Sequence, residues 1–284
     1  MDKLNMLRII FIGILGCGHL FSTEIDSFNL RDTSMQDALA PMNAVAQNYF
    51  DEALKKANRR ESCDPEVFED IFHDLTGGVF WADIERQIER SDRIDRRNIH
   101  RSKSVYQDIT IVDGLALYLA RLGFVMRFGD FYVGSDKFGH FFDQGYDYFQ
   151  KKNLDEAMSF GEMTERTYYG LTSTAVYSYG DLAANLDGYF FWQSLTRGKN
   201  AYVTCEEDTW SQVREFSWTD YANAAWDEGL NCSTYRNEYT TSRVLGRIKQ
   251  LGMSCPVEPQ WCDVMLNRYG YLAPRVISPA CYYP

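Results

Sequence analysis

The chain has 284 residues, of which 45% are hydrophobic and 24% charged, and its formal net charge is −11. That length suits one sizeable domain or two small ones, with ample chain for a real core. The acidic balance speaks against nucleic acid and anionic lipid surfaces as partners, because both are polyanions.

The opening residues, MDKLNMLRIIFIGILGCGHLFSTEID, place Lys3 and Arg8 ahead of a short apolar run from Ile9 to Gly16. The run is too short to span a bilayer and reads as a signal peptide over residues 1–22, cleaved after Ser22. The string ILGC offers the rival reading, a lipoprotein anchored through Cys17. Cleavage removes Asp2, Lys3 and Arg8, one negative and two positive charges, so −11 becomes −12. No later segment is apolar for long enough to cross a membrane, so no transmembrane segment is expected in the mature chain. Cys63, Cys205, Cys232, Cys255, Cys262 and Cys281 remain as an even set. In an exported protein they predict three disulfides, in a connectivity the spacings leave open. Zinc is the competing use of such cysteines, but no C-x-x-C pair occurs and no histidine follows His140.

Most of the chain reads as helix. Pro41 starts one through Asn58, with Met42, Val45, Tyr49, Ala53 and Ala57 as its apolar stripe. Asp64 caps a second with Pro65 at its first position, ending at Gly77-Gly78. The segment ADIERQIERSDRIDRRNIHRSKS predicts a solvated helix laced with charge pairs and running into a loop. Ile111 to Leu122 predicts a buried helix, FYVG an extended link, and Ser135 the cap of the next helix. Asn153 caps a helix through Tyr168, and after the loop TSTAVY, Ser178 caps a long one, YGDLAANLDGYFFWQSL. Beyond Gly198 five of the six cysteines cluster among loops, with one clear helix near Ser242 to Leu251. The expected organisation is a helical domain over residues 35–198 and a cysteine-rich, disulfide-stapled extension over residues 199–284, packed upon it.

Three of these helices carry polar residues where apolar ones belong. In SDKFGHFFDQGYDYF, Asp136, His140, Asp143 and Asp147 fall at helical spacing on one stripe. Glu165 lies on the second helix, one turn after Glu162, with Tyr168 and Tyr169 placed to shield it; desolvation of that kind raises a carboxyl pKa and makes a usable general acid. Asp181, Asn185 and Gly188 share a face of the third. Asn185 in mid-helix needs a reason, and Gly188 implies close approach by another backbone or a ligand. Each has a plainer role as well: Asp136 and Asp181 as helix-start acids, His140 as a hydrogen-bonded packing residue, Glu165 as an exposed helix end.

The order D-K-F-G-H-F, a later Glu, then D-L-A-A-N-L-D-G resembles the VanZ-like teicoplanin-resistance proteins and the YfiM-like predicted lipoproteins. The match covers Asp136, Lys137, His140, Phe141, Glu165, Asp181, Asn185 and Gly188, and implies a role in the cell envelope. Glu165, Gly170-Leu171 and the following helix resemble the goose-type lysozyme and lytic transglycosylase pattern, with a shorter spacing and T-S in place of M-Q. That second resemblance implies a mainly α, lysozyme-like helical domain and a secreted lysozyme, of the kind released against deacetylated peptidoglycan. On this expectation Glu165 and Asp181 are catalytic, Asp136, His140, Tyr177, Tyr179 and Asn185 bind substrate, the partner is the peptidoglycan glycan strand, and neither metal nor other cofactor is needed. The alternatives are a non-catalytic envelope protein binding a lipid or glycopeptide, and a metal-dependent hydrolase using Asp136, His140, Glu165 and Asp181 as ligands.

Overall fold

About 51% of the structure is helix and 9% strand, the mainly α fold that the periodicity predicts. The computed structural model describes residues 24–78, 82–167 and 169–282. The expected signal peptide, Cys17 and Tyr168 lie outside the described residues.

Helix α1 (Leu39–Ala57) turns Met42, Ala46, Tyr49, Phe50, Ala53 and Ala57 inward. Helix α2 (Pro65–Thr76) starts as its signals require: Asp64 Oδ1 accepts from the Glu66 N–H at 3.0 Å, and Pro65 occupies the first turn, where its missing donor costs nothing. Gly77 ends it. The charged stretch folds only as far as α3 (Asp83–Arg90), which buries Ile84 and Ile88 before β1 (Arg96–Arg97).

Two expectations give way to local turn chemistry. The helix predicted over Ile111 to Leu122 is confined to α4 (Leu115–Leu119), and Val112 is 83% exposed. The Thr110 hydroxyl donates to Asp113 Oδ2 at 2.6 Å and closes a turn there. Gly114 then packs so tightly that a Cβ would stand 2.5 Å from the Thr174 carbonyl oxygen. Ser135 is not a cap: its own backbone is already helical, and its hydroxyl accepts from the Phe124 N–H at 3.2 Å. The reason is that FYVG is a paired strand. Strand β3 (Phe131–Gly134) runs antiparallel to β2 (Val125–Phe128), with Val125 opposite Gly134, and β1 flanks β2 on its other edge. The hairpin delivers the chain directly into α5 (Asp136–Gly139).

From α5 the chain passes through a π turn (His140–Gln144) into α6 (Gly145–Phe149). Helix α7 (Leu154–Arg166) follows, Asn153 Oδ1 accepting from the Glu156 N–H at 2.9 Å. Strand β4 (Val176–Tyr177) leads to α8 (Tyr179–Leu195), capped by Ser178 as predicted. Helix α8 is buried on nearly every side, Gly180 through Tyr189 without a break. A helix apolar all round belongs at the centre of a bundle. Here that surround includes Asp181, Asn185 and Asp187, so the centre of this protein is where its polar groups need explaining.

The chain beyond residue 198 shares the same interior. After the hairpin of β5 (Val203–Glu206) and β6 (Thr209–Gln212), Phe216, Trp218, Tyr221 and Trp226 pack with Phe141 and Phe191. Strand β7 (Thr234–Tyr235) pairs with β4, and α9 (Glu238–Gln250), α10 (Trp261–Tyr269) and α11 (Ala273–Val276) complete the chain.

All six cysteines among the described residues are paired: Cys63 with Cys205, Cys232 with Cys255, and Cys262 with Cys281. Alkylation of the unreduced protein should therefore find no free thiol at these positions. The Cys63–Cys205 bridge spans 142 residues of sequence, against 23 and 19 for the others. A long loop loses most freedom in the unfolded chain, so Cys63→Ser with Cys205→Ser is expected to cost about 2–5 kcal/mol and more than either other pair. An equal or smaller loss in urea unfolding would remove that ranking.

Candidate functional site

Helix α8 meets the π turn and α6 through glycine. A Cβ on Gly188 would stand 2.0 Å from the Phe141 carbonyl oxygen, and one on Gly145 would stand 2.8 Å from Gly188 Cα. Contact at that range is backbone against backbone, which is the close approach that a mid-helix glycine implies. The crossing carries Asp136, Lys137 and His140 against Asp181 and Asn185. The π turn breaks the predicted polar stripe, because it holds more residues per turn than an α-helix and so rotates the residues beyond it. Asp136 and His140 face inward, while Asp143 turns to α2, where its Oδ1 stands 2.9 Å from His73 Nε2.

At the centre is Lys137, fully buried. Its Nζ donates to Asp136 Oδ2 at 2.7 Å and Glu228 Oε1 at 2.7 Å, and stands 2.5 Å from Asp181 Oδ1. Burial works against the ammonium, but the carboxylates around it prevail and raise its pKa well above the ordinary lysine value. Asp181 shows the reciprocal effect: burial opposes its charge, yet His140 and Lys137 hold it well below the usual carboxylate range. Its second oxygen, Oδ2, lies 3.1 Å from His140 Nε2. Burial lowers the His140 pKa, and the adjoining Asp181 carboxylate outweighs it and brings the value to about 10.

Asn185 pairs with the other side of that ring. A protonated His140 finds an acceptor for Nδ1 in Asn185 Oδ1 at 3.0 Å. This is the reason for an asparagine in mid-helix.

Glu165 closes the cluster from α7. It is 1% exposed; Oε2 accepts from the Ser178 N–H at 3.3 Å, and Oε1 has no partner. Burial first, and the Asp181 charge second, push its pKa up to about 8, so the carboxyl holds its proton at neutral pH. Of the two tyrosines expected to shield it, Tyr169 is itself 55% exposed and Tyr168 lies outside the described residues. Asp136, His140 and Asp181 keep 12–13% side-chain exposure and form the opening of the cluster.

The structure thus brings together Glu165, Asp181, Asp136, His140 and Asn185. Tyr177 and Tyr179 meet edge to face, ring centres 5.1 Å apart, beside Glu162 and Arg166. Among the described residues neither hydrogen-bonds to the cluster. Sequence reasoning misses Glu228, which receives both Lys137 and the Ser178 hydroxyl, the latter at 2.9 Å. It misses Glu85, whose carboxylate packs on α5 where Gly139 has no Cβ to obstruct it, and it gives Lys137 no role. Two signals point to them: a lysine inside an aromatic run, and paired acids between Trp226 and Gly229.

No protein-family model, curated protein or solved structure matches this chain. The chemistry is accordingly read from the residues themselves. A protonated carboxyl, a carboxylate held ionised and a basic imidazole lie in one water-poor cluster, which is an acid–base pair with its polarity set by position.

Proposed function

We propose that this protein is an exported glycoside hydrolase of lysozyme type that cleaves the glycan strands of peptidoglycan. The observation that carries the reading is Glu165: buried, protonated to about pH 8, with Oε1 free of protein partners and Asp181 beside it. Two carboxyls with pKa values driven apart are what glycoside cleavage uses. Glu165 protonates the leaving glycosidic oxygen. Asp181 activates water or stabilises the oxocarbenium-like transition state, with Asp136 next to it. His140 and Asn185 orient substrate at the opening, and Tyr177 and Tyr179 supply flanking ring surface. Three disulfides suit the oxidising compartment such an enzyme works in. Among the described residues no helix is long and apolar enough to cross a membrane.

One observation favours a metal-dependent hydrolase instead. Ligand atoms of Asp136, His140 and Asp181 all lie within 4.8 Å of one another. Such O,N donors suit zinc or manganese, but the Lys137 ammonium already holds one oxygen of each carboxylate. Zymography of the purified protein on peptidoglycan beside metal analysis separates the readings. Clearing by metal-free protein supports acid–base catalysis, clearing lost on chelation supports the metal, and no clearing leaves the envelope-binding alternative.

The acidic surface also predicts a substrate preference. Deacetylated glycan carries amines that are largely protonated near neutral pH, and the protein has a net charge of −11. Lys137 already engages Asp136 and Asp181, and His73 engages Asp143, so Asp147 on the exposed turn of α6 is the acid best placed to meet an added ammonium. A close pair of this kind gains on the order of 1–4 kcal/mol before screening by salt. Deacetylated sacculi should be digested faster than acetylated ones, most of all at low ionic strength. A preference indifferent to salt would leave the acidic surface a role in solubility alone.

A further inference from the structure

A second feature stands apart from the acid–base cluster. Between the β2–β3 hairpin and the loop before α10 lies a cavity of about 650 Å³, lined in part by Arg31, Asp32, Asp130, Tyr132, Glu258 and Trp261. Cavities of roughly 300–1,000 Å³ hold small organic ligands. Arg31 is only 8% exposed, and its guanidinium lies over the Tyr132 ring, 4.9 Å from the ring centre. Nη2 donates to Asp227 Oδ1 at 2.6 Å, whereas Nε and Nη1 have no partner. Unmade hydrogen bonds on a buried charged group cost more than those on a neutral one, so an arginine held this way is short of an acceptor. A carboxylate matches its planar fork in two places at once.

The rest of the lining narrows the ligand. Asp32, Asp130 and Glu258 stand at the same cavity, so a simple anion would be drawn by one guanidinium and repelled by three carboxylates. A molecule bearing both a carboxylate and an ammonium satisfies both ends. Trp261, set edge-on to Phe131 at 6.4 Å, offers apolar surface for what joins them. We propose that this cavity binds a zwitterionic amino acid or short peptide, its carboxylate on Arg31 and its ammonium among Asp32, Asp130 and Glu258. The assignment does not depend on the glycosidase reading.

Free amino acids and peptide ends share this chemistry, and a titration followed by tryptophan fluorescence and calorimetry distinguishes them. The ligands are alanine and alanyl-alanine in both L and D forms, alanyl-alanine amide, and N-acetyl-alanyl-alanine. Saturable binding of alanine or the dipeptide is expected, with the amide and the acetylated form at least about tenfold weaker, a loss of about 1.4 kcal/mol. Tighter binding of the dipeptide than of alanine assigns the site to peptide ends; equal binding assigns it to free amino acids. Arg31→Lys keeps the charge that pairs with Asp227 but loses the fork, and should weaken binding at least tenfold in a protein whose circular dichroism is unchanged. Should that variant not fold, Asp130→Asn and Glu258→Gln at the rim carry the test: each should weaken the dipeptide and strengthen its acetylated form. No saturable binding at about 10 mM ligand, or equal binding of dipeptide and amide, overturns the proposal.

Discussion

Replacing Glu165 by glutamine is expected to lower glycan cleavage by about two to four orders of magnitude while leaving the fold intact. Glutamine keeps the side chain's shape and its contact with the Ser178 N–H, and it removes only the transferable proton. The wild-type pH profile should carry the same signature. With Glu165 raised to about 8, activity should hold through neutrality and fall as pH climbs past that value. Stability supplies an independent check. The folded pKa lies above the unfolded one of 4.5, so the contribution of this group is fully present below pH 4.5 and is lost as pH rises through about 8. Glutamine does not titrate, so the stability of Glu165→Gln relative to wild type should rise across that window. Full activity in the variant would sink the assignment. It would not rescue Glu162 easily, because that side chain already accepts from Arg275 Nε at 2.5 Å.

Lys137→Met should be the most destabilising single change outside the apolar core. The ammonium is the shared counter-ion of Asp136, Asp181 and Glu228, all of them buried or nearly so. Removing one member of a buried charge set leaves the others without compensation, typically at a cost of about 3–5 kcal/mol. Methionine fills much of the same volume, so the loss reports charge rather than a cavity. Its pH dependence has a definite sign. Without Lys137 the remaining acids bind protons more readily in the folded state than in the unfolded one. The deficit should therefore be small below the ordinary carboxyl pKa of about 4 and grow as pH rises toward neutrality. Urea unfolding at pH 4 and pH 7 measures both ends. A variant as stable as wild type at pH 7 would mean that the cluster is neutralised by protons rather than by the lysine.

Periodicity and capping chemistry are enough to place the helices around Met42, Phe68, Glu165 and Leu182. Those signals act within a few residues: an apolar stripe, an Asp64-Pro65 start, and the side chains of Asn153 and Ser178 reaching a nearby N–H. They fail where two local signals compete. The apolar content of Ile111-Val112 suggests helix, but the Thr110–Asp113 turn and the packing of Gly114 on Thr174 prevail. Ser135 is not recognisable as a strand-to-helix brace because its partner, Phe124, is set by hairpin register.

What the sequence by itself determined is the mainly α class, the pairing potential of six cysteines, and the polar positions Asp136, His140, Glu165, Asp181 and Asn185. Each comes from composition or from spacing along one helix, where geometry is fixed by the backbone alone. Which of those positions meet was decided by the tertiary structure. The Gly145–Gly188 crossing brings α6 onto α8, the π turn sends Asp143 away from Asp136, and Glu228 arrives from 91 residues beyond Lys137. The acid–base polarity is tertiary for the same reason. Desolvation and Coulomb interaction depend on distance and burial, so carboxyls alike in the sequence part, with the pKa raised at Glu165 and lowered at Asp181, only once the chain has packed.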